Sequence, residues 1–350
     1  MSLLCQRGDY VTSKIALLQA NPIVGDIGGN AEMICDLAEI AAEAGASFAV
    51  TTELAISGYP PRDLLLQSDF VNECHNVASA LETQIPVLVG TPVPPHTDRS
   101  LPGNGVVRAG DSVREVTRKQ LLPTYDVFDE ARYFEADERP GIARTIAGLD
   151  IGVTICEDAW QHCGATPNDY ESDPIAQIVE WGRQGVVLDA TVNLSASPYH
   201  ANKSGIRIAV ARSAASSLNH PFLLANQVGG NDDLLFDGRS IIAWPDGTVV
   251  IGPAWSQGVL LTDLSDPKAC TWIGEGEIRI LKPDEDLEED EGDLLDAIII
   301  GLSDYCMKSG ISKIVLGMSG GIDSALAACV ASAAVGAQNV TGISMPSKHS

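Results

Sequence analysis

The thiol best placed for chemistry lies in GVTICEDAWQ, where Cys156 ends a strongly apolar run and Glu157 and Asp158 follow at once. A nucleophile at the carboxyl end of a strand, aimed into a crevice, is a recurring arrangement in α/β enzymes. The same residues also describe a buried structural cysteine beside a helix start capped by acids. Two other stretches share the form. In TTELAISGYPPRDLL an apolar run ends in Glu53 before a loop rich in Gly and Pro; in RKQLLPTYDVFDEARYF, Lys119 stands at a strand end, with Tyr125 and Glu130 in the loop behind it. Taken singly, Glu53 or Lys119 is better read as a surface charge. Together the three stretches hold the parts for cleaving an amide: a thiolate to attack, a carboxylate to take and return protons, and an ammonium to stabilise the oxyanion.

A second chemistry is suggested further along, in VLGMSGGIDSALAA (Val315–Ala328), which reads as a strand, a glycine turn and a helix start. SGGIDS (Ser319–Ser324) lacks the Gly-Lys-Ser/Thr close of a Walker loop, and no Rossmann G-x-G-x-x-G is present. It keeps the logic of an anion cradle: Gly320 and Gly321 let the backbone approach, the serine hydroxyls donate, and a helix N-terminus follows. A plain tight turn is the other reading.

The elements that must position these residues follow from periodicity. KIALLQAN and SFAVTTE read as buried strands flanking an amphipathic helix, NAEMICDLAEIAAEAG. IPVLVGTPV, GNGVVRAG, SVREVTRKQLLP, IAGLDIGVTICE, GVVLDATVNLSA and PFLLANQVGG are further strands, and DPIAQIVEWGRQG and ANKSGIRIAVARSAASSLNH are helices. GRSIIAWPDGTVVIGP predicts a hairpin turning at Pro245-Asp246-Gly247. Strand pairs that are sometimes consecutive favour mixed sheets in an α/β chain. Patterning lapses between Cys270 and Asp293, then resumes as helix, strand, helix and strand. The reading is a leader at 1–13, a first domain at 14–273, an acidic linker at 274–292, and the opening βαβ unit of a longer domain at 293–350. A lone βαβ unit cannot bury its sheet faces, so this tail is expected to be poorly ordered or to lean on contacts from elsewhere.

The chain has 350 residues, 45% of them hydrophobic, and a formal net charge of −25. That balance argues against non-specific nucleic-acid or anionic-membrane binding, both of which need clustered Lys and Arg. PDEDLEEDEGD (Pro283–Asp293) reads as a solvated acidic run. Eight cysteines without C-x-x-C pairs, and a start without an apolar signal core, point to a cytoplasmic chain with reduced thiols. A disulfide framework is the alternative. His162, His200 and His220 have no ligand-like spacing, so no zinc is expected.

Five segments in order, ELAISGYPP, KQLLPTYDVFDEARYF, ICEDAW, NLSASPYHANK and NQVGGNDDLLFDG, resemble the nitrilase superfamily, and within it the glutaminase domain of glutamine-dependent NAD synthetases. The resemblance covers roughly Lys14 to Ser265 and implies an α-β-β-α sandwich with mixed sheets. It implies Glu53 as general base, Lys119 as the oxyanion-stabilising lysine, Cys156 as nucleophile and Glu130 as the supporting glutamate. The Glu157 N–H would complete the oxyanion hole, and Lys119 should favour the thiolate. For glutamine the resemblance suggests Tyr59, Tyr125, Glu157, Ser195 and Ser197. TTE stands where that family usually has an aromatic–Pro pair before the glutamate. SGGIDS resembles the pyrophosphate loop of N-type ATP pyrophosphatases, a doubly wound parallel α/β fold. Ser319, Gly320, Gly321, Asp323 and Ser324 would hold the ATP phosphates, with Asp323 near magnesium. ATP with Mg2+ is then a co-substrate, no tightly bound cofactor is expected, and a homo-oligomer is. The whole reaction would amidate deamido-NAD with ammonia from glutamine. Two rivals stand beside it: a free-standing amidohydrolase for another small amide, and a non-catalytic scaffold.

Overall fold

The computed structural model describes residues 14–344 apart from 98–99, 113, 168 and 290. The expected leader, 1–13, and the segment 345–350 lie outside the described residues. The first part of the chain runs β1 (Lys14–Gln19), α1 (Ile27–Glu43), β2 (Phe48–Val50), α2 (Ser68–Ser79), β3 (Val87–Val93), β4 (Gly103–Ala109) and β5 (Arg114–Arg118). Next come β6 (Gly141–Ile146), β7 (Leu149–Ile155), α3 (Pro174–Arg183), β8 (Ala190–Ser195), α4 (Lys203–Leu218) and β9 (Phe222–Asn226). A ribbon follows, β10 (Val228–Asn231) and β11 (Leu234–Asp237), then β12 (Ile241–Ala243), β13 (Val249–Ile251), β14 (Gly258–Asp263), β15 (Asp266–Gly274) and β16 (Glu277–Leu281). The last elements are α5 (Glu291–Lys308), β17 (Ile314–Met318), α6 (Ile322–Val335) and β18 (Val340–Ser344).

Two mixed sheets carry the first unit, in the orders β16-β15-β14-β1-β2-β3-β4-β5 and β13-β12-β9-β8-β7-β6. In each, parallel strands sit in the middle and antiparallel strands outside. Period-two alternation assigns the faces. Ile15 and Leu17 of β1 point inward, joining Val50, Leu88, Val153, Val192 and Trp272 in the core between the sheets. Ala16 and Leu18 point outward and meet Ile34, Leu37 and Ala38 of α1 and Cys74 and Ala78 of α2. On the far side Ile175 of α3 and Ile208, Ala211 and Ala215 of α4 cover Phe222, Leu224, Ile241 and Val249. Helix, sheet, sheet and helix are thus stacked around one inner core.

Two expectations about the second half need correction. The stretch read as a linker, 274–292, contains β16, which pairs antiparallel with β15, Trp272 opposite Arg279. Its Glu-Ile-Arg-Ile alternation is a period-two pattern present in the sequence, but it is short and runs into the acidic stretch, and Ile278 and Ile280 are exposed in the fold. The acidic run is also more than a solvated segment. Glu289 accepts from the backbone N–H of Asn202 at 2.9 Å and of Ser204 at 2.8 Å at the start of α4, and Asp293 accepts from Arg239 at 2.7 Å. The tail, expected to be poorly ordered or to lean on contacts from elsewhere, follows the second course. β17 and β18 form a parallel pair with α6 between them in sequence, and α5 is anchored on the first unit through Asp304 and Lys308. Val315, Ile322, Leu326 and Ile343 of this unit do remain exposed, as a sheet with uncovered faces requires.

One close approach ties the fold to the site. Gly90 in β3 lies under the chain leaving β2: a Cβ there would stand 2.3 Å from Thr52 O and 2.7 Å from Leu54 N, the neighbours of Glu53. The Gly90 N–H donates to the Thr51 hydroxyl at 2.9 Å, which is the role Thr51 plays at this strand end. Gly90→Ala is expected to lower the unfolding free energy by ~1–3 kcal/mol, measured by urea titration; an unchanged midpoint would show that the strand end yields without cost.

Candidate active site

Each candidate side chain leaves the carboxyl end of a strand. Lys119 follows β5, Cys156 follows β7, Ser195 closes β8, and Glu53 comes just after β2. Cys156 has φ of +43°, a left-handed conformation that a non-glycine residue rarely takes and that marks a sharp elbow here. Asp158 holds this elbow. Its carboxylate accepts from the N–H of Ile155 at 3.0 Å, and from those of Gln120 at 3.0 Å and Leu121 at 2.9 Å. One side chain therefore joins the turn bearing Cys156 to the strand end bearing Lys119.

The charges form a buried chain. Lys119 Nζ donates to Glu53 Oε1 at 2.7 Å and to Glu130 Oε2 at 2.8 Å, with Lys119 and Glu53 fully buried and Glu130 5% exposed. Glu53 is held from two further sides, by Asn104 Nδ2 at 2.7 Å and by the Ala196 N–H at 3.1 Å. Tyr59 donates its hydroxyl to Glu130 Oε1 at 2.8 Å. Asn193 Nδ2 donates to the Cys156 carbonyl at 3.3 Å, bracing the elbow from β8.

Environment sets the proton positions. Burial works against the Lys119 charge, but Glu130 and Glu53 outweigh it and hold the ammonium well above the ordinary lysine range. Burial pushes Glu130 up to about 7 against the pull of Lys119. Burial also pushes the Cys156 thiol well above its ordinary value; Glu53 adds to this, and Lys119 and the Ser195 hydroxyl oppose it without prevailing. The expectation that Lys119 favours the thiolate holds in direction, since the lysine pulls the thiol down, but burial and Glu53 outweigh it and the balance favours the protonated sulfur.

Glu157 lies beside this cluster and accepts hydroxyl protons from Tyr125 at 2.8 Å and Tyr170 at 3.2 Å. Burial raises its carboxyl, and those hydroxyls and Lys119 counter the shift. Lys203, the first residue of α4, points its ammonium over the Trp160 ring at 4.5 Å. Burial lowers its pKa, while Cys156 and Glu157 act in the opposite sense. Ser197 is buried, with its N–H bonded to Asn226 Oδ1 at 2.9 Å. A cavity of about 240 Å³ opens between the loop from Tyr59 to Leu65 and the segment from Val127 to Phe134, with Tyr59 and Glu130 in its wall.

The glycine loop stands apart from this cluster, at the exposed end of β17. Gly320 has φ of +85°, and nothing lies within 4 Å of where its Cβ would be. The Ser319 and Ser324 hydroxyls are 3.3 Å apart, the Gly321 N–H donates to Ser319 Oγ at 3.4 Å, and Asp323 is in the first turn of α6. Open glycine backbone, paired hydroxyls and a helix start fit a phosphate cradle. Among the described residues no group of three or more His, Cys, Asp or Glu is arranged to hold a metal ion. His162 is bonded to Asp173 and Ser217, and His220 to Thr191. No helix among the described residues is long and apolar enough to cross a membrane.

A family model described as carbon-nitrogen hydrolase matches residues 14–272. The chain belongs to the carbon-nitrogen hydrolase family. A second model, NAD synthase, matches residues 294–350. The chain is 38% identical over 351 residues to a glutamine-dependent NAD(+) synthetase of Synechocystis, a match over 96% of this chain and 60% of that protein. It is 33% identical to one of Aquifex aeolicus, over 96% of this chain and 61% of that protein. The chain thus spans about three fifths of the length of these curated relatives. Among solved structures it is similar to a glutamine-dependent NAD+ synthetase of Acinetobacter baumannii in complex with ADP, with TM-score 0.80 and 27% identity over 96% of this chain and 60% of that one. An amidase of the nitrilase superfamily from Nesterenkonia shares the fold, with TM-score 0.59 and 21% identity over 73% of this chain and 91% of that one.

Within this carbon-nitrogen hydrolase unit several site residues escaped the sequence reading. Asn104 is a polar residue between two glycines inside a strand, a signal that was available. Asp158 was noted only as a neighbour of Cys156, and its three N–H partners are invisible without the fold. Lys203 lay in a quoted segment with no role given, and Tyr170 carried no signal. Tyr59, expected at the substrate, is committed to Glu130 through its hydroxyl.

A neutral resting thiol has a direct readout. Alkylation of Cys156 by iodoacetamide, followed by peptide mass spectrometry, should be slow at pH 7 and still be rising above pH 9, because burial and Glu53 both favour the protonated form. A plateau below pH 8 would mean a pre-formed thiolate.

Proposed function

We propose that this chain hydrolyses the side-chain amide of glutamine at Cys156, and that the released ammonia serves an ATP-dependent amidation of deamido-NAD in the longer proteins to which it is similar. The observation that carries the substrate choice is the placement of Glu157 and Lys203 on the rim of the buried Cys156 cluster. Glu157, with the Tyr125 and Tyr170 hydroxyls, suits an α-ammonium. The Lys203 ammonium, whose close neighbour is the Trp160 ring, suits an α-carboxylate. Ser195 and Ser197 remain within the proposed pocket wall. A simple aliphatic amide would leave both charges unanswered, which disfavours the free-standing amidase reading.

The steps are those the resemblance implies, and the buried Glu53–Lys119–Glu130 cluster supports them. Glu53 takes the Cys156 proton as the sulfur attacks the amide carbon, so the charge appears only with the new bond. The oxygen that gains charge is met by Lys119 and the Glu157 N–H. Glu53 returns the proton to the departing nitrogen, ammonia leaves, and a thioester remains. Glu53 then deprotonates a water that attacks the thioester, and glutamate leaves as the thiol is restored. Glu130 keeps Lys119 charged and in place through these exchanges. In the second unit Ser319, Gly320, Gly321, Asp323 and Ser324 would cradle the phosphates of ATP, with its magnesium near Asp323. A homo-oligomeric, cytoplasmic enzyme is part of the same proposal.

Glutamate release from glutamine should be measurable in the full chain and fall by at least ~1000-fold in Cys156→Ala; equal release by the variant would end the proposal. Lys203→Met is expected to raise KM for glutamine roughly 30-fold and to shrink the preference for glutamine over 4-aminobutanamide, which lacks the α-carboxylate. Unchanged discrimination would remove Lys203 from the substrate.

A further inference from the structure

The segment NQVGGNDDLLFDG folds as the β10–β11 ribbon, separate from both large sheets. It has no part in the amide chemistry above, yet it stands between α5 and the loop that carries Tyr59. On the α5 side, Lys308 Nζ is buried among oxygens: it donates to Gly230 O at 2.8 Å, Asn231 Oδ1 at 2.9 Å, Asn21 Oδ1 at 2.6 Å and Pro22 O at 3.2 Å. Asp304, one turn earlier, accepts from the Gly230 N–H at 2.7 Å and from Asn21 Nδ2 at 3.0 Å. The fit is close because Gly229 has no side chain; a Cβ there would lie 2.4 Å from Asp304 Oδ2.

On the other side the same ribbon grips the Tyr59 loop. Asn231 Nδ2 donates to the Tyr59 carbonyl at 3.0 Å, and Gln227 Nε2 reaches it at 3.5 Å. Arg62 of that loop pairs with Asp232 and Asp233 at 3.8 Å, at the ribbon's tip. From Tyr59 the path continues through its hydroxyl to Glu130, and from Glu130 to Lys119. Asn231 is the pivot. Its amide oxygen is held by Lys308 and its amide nitrogen holds Tyr59, so fixing one end orients the other.

We infer that Lys308 and Asp304, which lie beyond the carbon-nitrogen hydrolase unit, are positioning residues of the amide-hydrolysing site, acting through Asn231 and Tyr59 on Glu130. The inference rests on the proposed hydrolysis at Cys156. Without the Lys308 ammonium the Asn231 amide oxygen loses its partner; the amide nitrogen, shared between the Tyr59 carbonyl and Pro22 O at 3.2 Å, grips Tyr59 less firmly, Gln227 is left as the longer second donor, and the Tyr59 hydroxyl meets Glu130 less squarely. Lys119 is then held by a displaced carboxylate. Because α5 leads directly into β17 and the glycine loop, this contact links the amide site to the phosphate-cradle unit.

The test is glutamate release by the full chain as wild type, Lys308→Met, Lys308→Arg, Tyr59→Phe, and the Lys308→Met/Tyr59→Phe double variant, with folding checked by thermal melting. Lys308→Met should lower kcat by roughly tenfold or more with KM for glutamine little changed, since Lys308 touches no substrate. Lys308→Arg should restore part of the rate, and the double variant should be no slower than Tyr59→Phe alone. A normal kcat in Lys308→Met, or losses that multiply in the double variant, would overturn the inference. If Lys308→Met does not fold, Asn231→Ser interrupts the same path and takes its place in the cycle. If the wild type releases no glutamate, the substrate reading falls, and iodoacetamide labelling decides the positioning role. Lys308→Met and Tyr59→Phe should then shift the pH dependence of Cys156 alkylation alike and without adding; independent shifts would overturn it.

Discussion

A single buried ammonium organises this molecule. Lys119 sits with no exposure between Glu53 and Glu130, and each of the three would be costly to bury without the others. Removing the lysine would leave two carboxylates facing one another in an apolar interior, and removing either acid would leave the rest unbalanced. The arrangement is tolerated because nearly every remaining lone pair is met: Asn104 and the Ala196 N–H on Glu53, Tyr59 on Glu130. Those donors come from different strands and loops, so the charge cluster specifies the docking of several strand ends at once.

Such a cluster also decides how the sulfur is used. With its charge shared by two acids, Lys119 opposes the rise of the Cys156 pKa without cancelling it. In the proposed reaction its field grows when a proton moves onto Glu53 and one of its two partners is neutralised. Under that proposal the lysine is under-compensated just as negative charge develops on the carbonyl oxygen. A preorganised donor that strengthens as the reaction proceeds contributes to the barrier and not merely to binding.

Much of this was legible in the chain because strand ends announce themselves. Apolar runs that stop at Glu53, Lys119 and Cys156 needed no tertiary information to be marked as candidates, and alternation along β1 distinguishes its two faces. What stayed hidden was of two kinds. Asp158 and Asn104 act through backbone or side-chain partners far away in sequence, which no local pattern encodes. β16 alternates visibly as Glu-Ile-Arg-Ile but is only five residues long and abuts the acidic run, which made the whole stretch read as a linker. The net environment of Cys156 was hidden for a related reason: the sequence reveals that a lysine is present, but not how many acids share it.

The two large sheets contribute different halves of the site. Glu53 and Lys119 belong to strand ends of one, Cys156 and Ser195 to strand ends of the other. The spacing between proton acceptor and sulfur is therefore set by the thickness of the apolar layer that separates the sheets, where Leu17, Val50, Leu88, Val153 and Val192 meet. Side chains there serve as spacers, and interiors of this density transmit changes of a methylene to their surroundings. Reactivity in this fold is consequently tunable from positions that never approach a substrate, and the interior packing sets a distance as well as a stability.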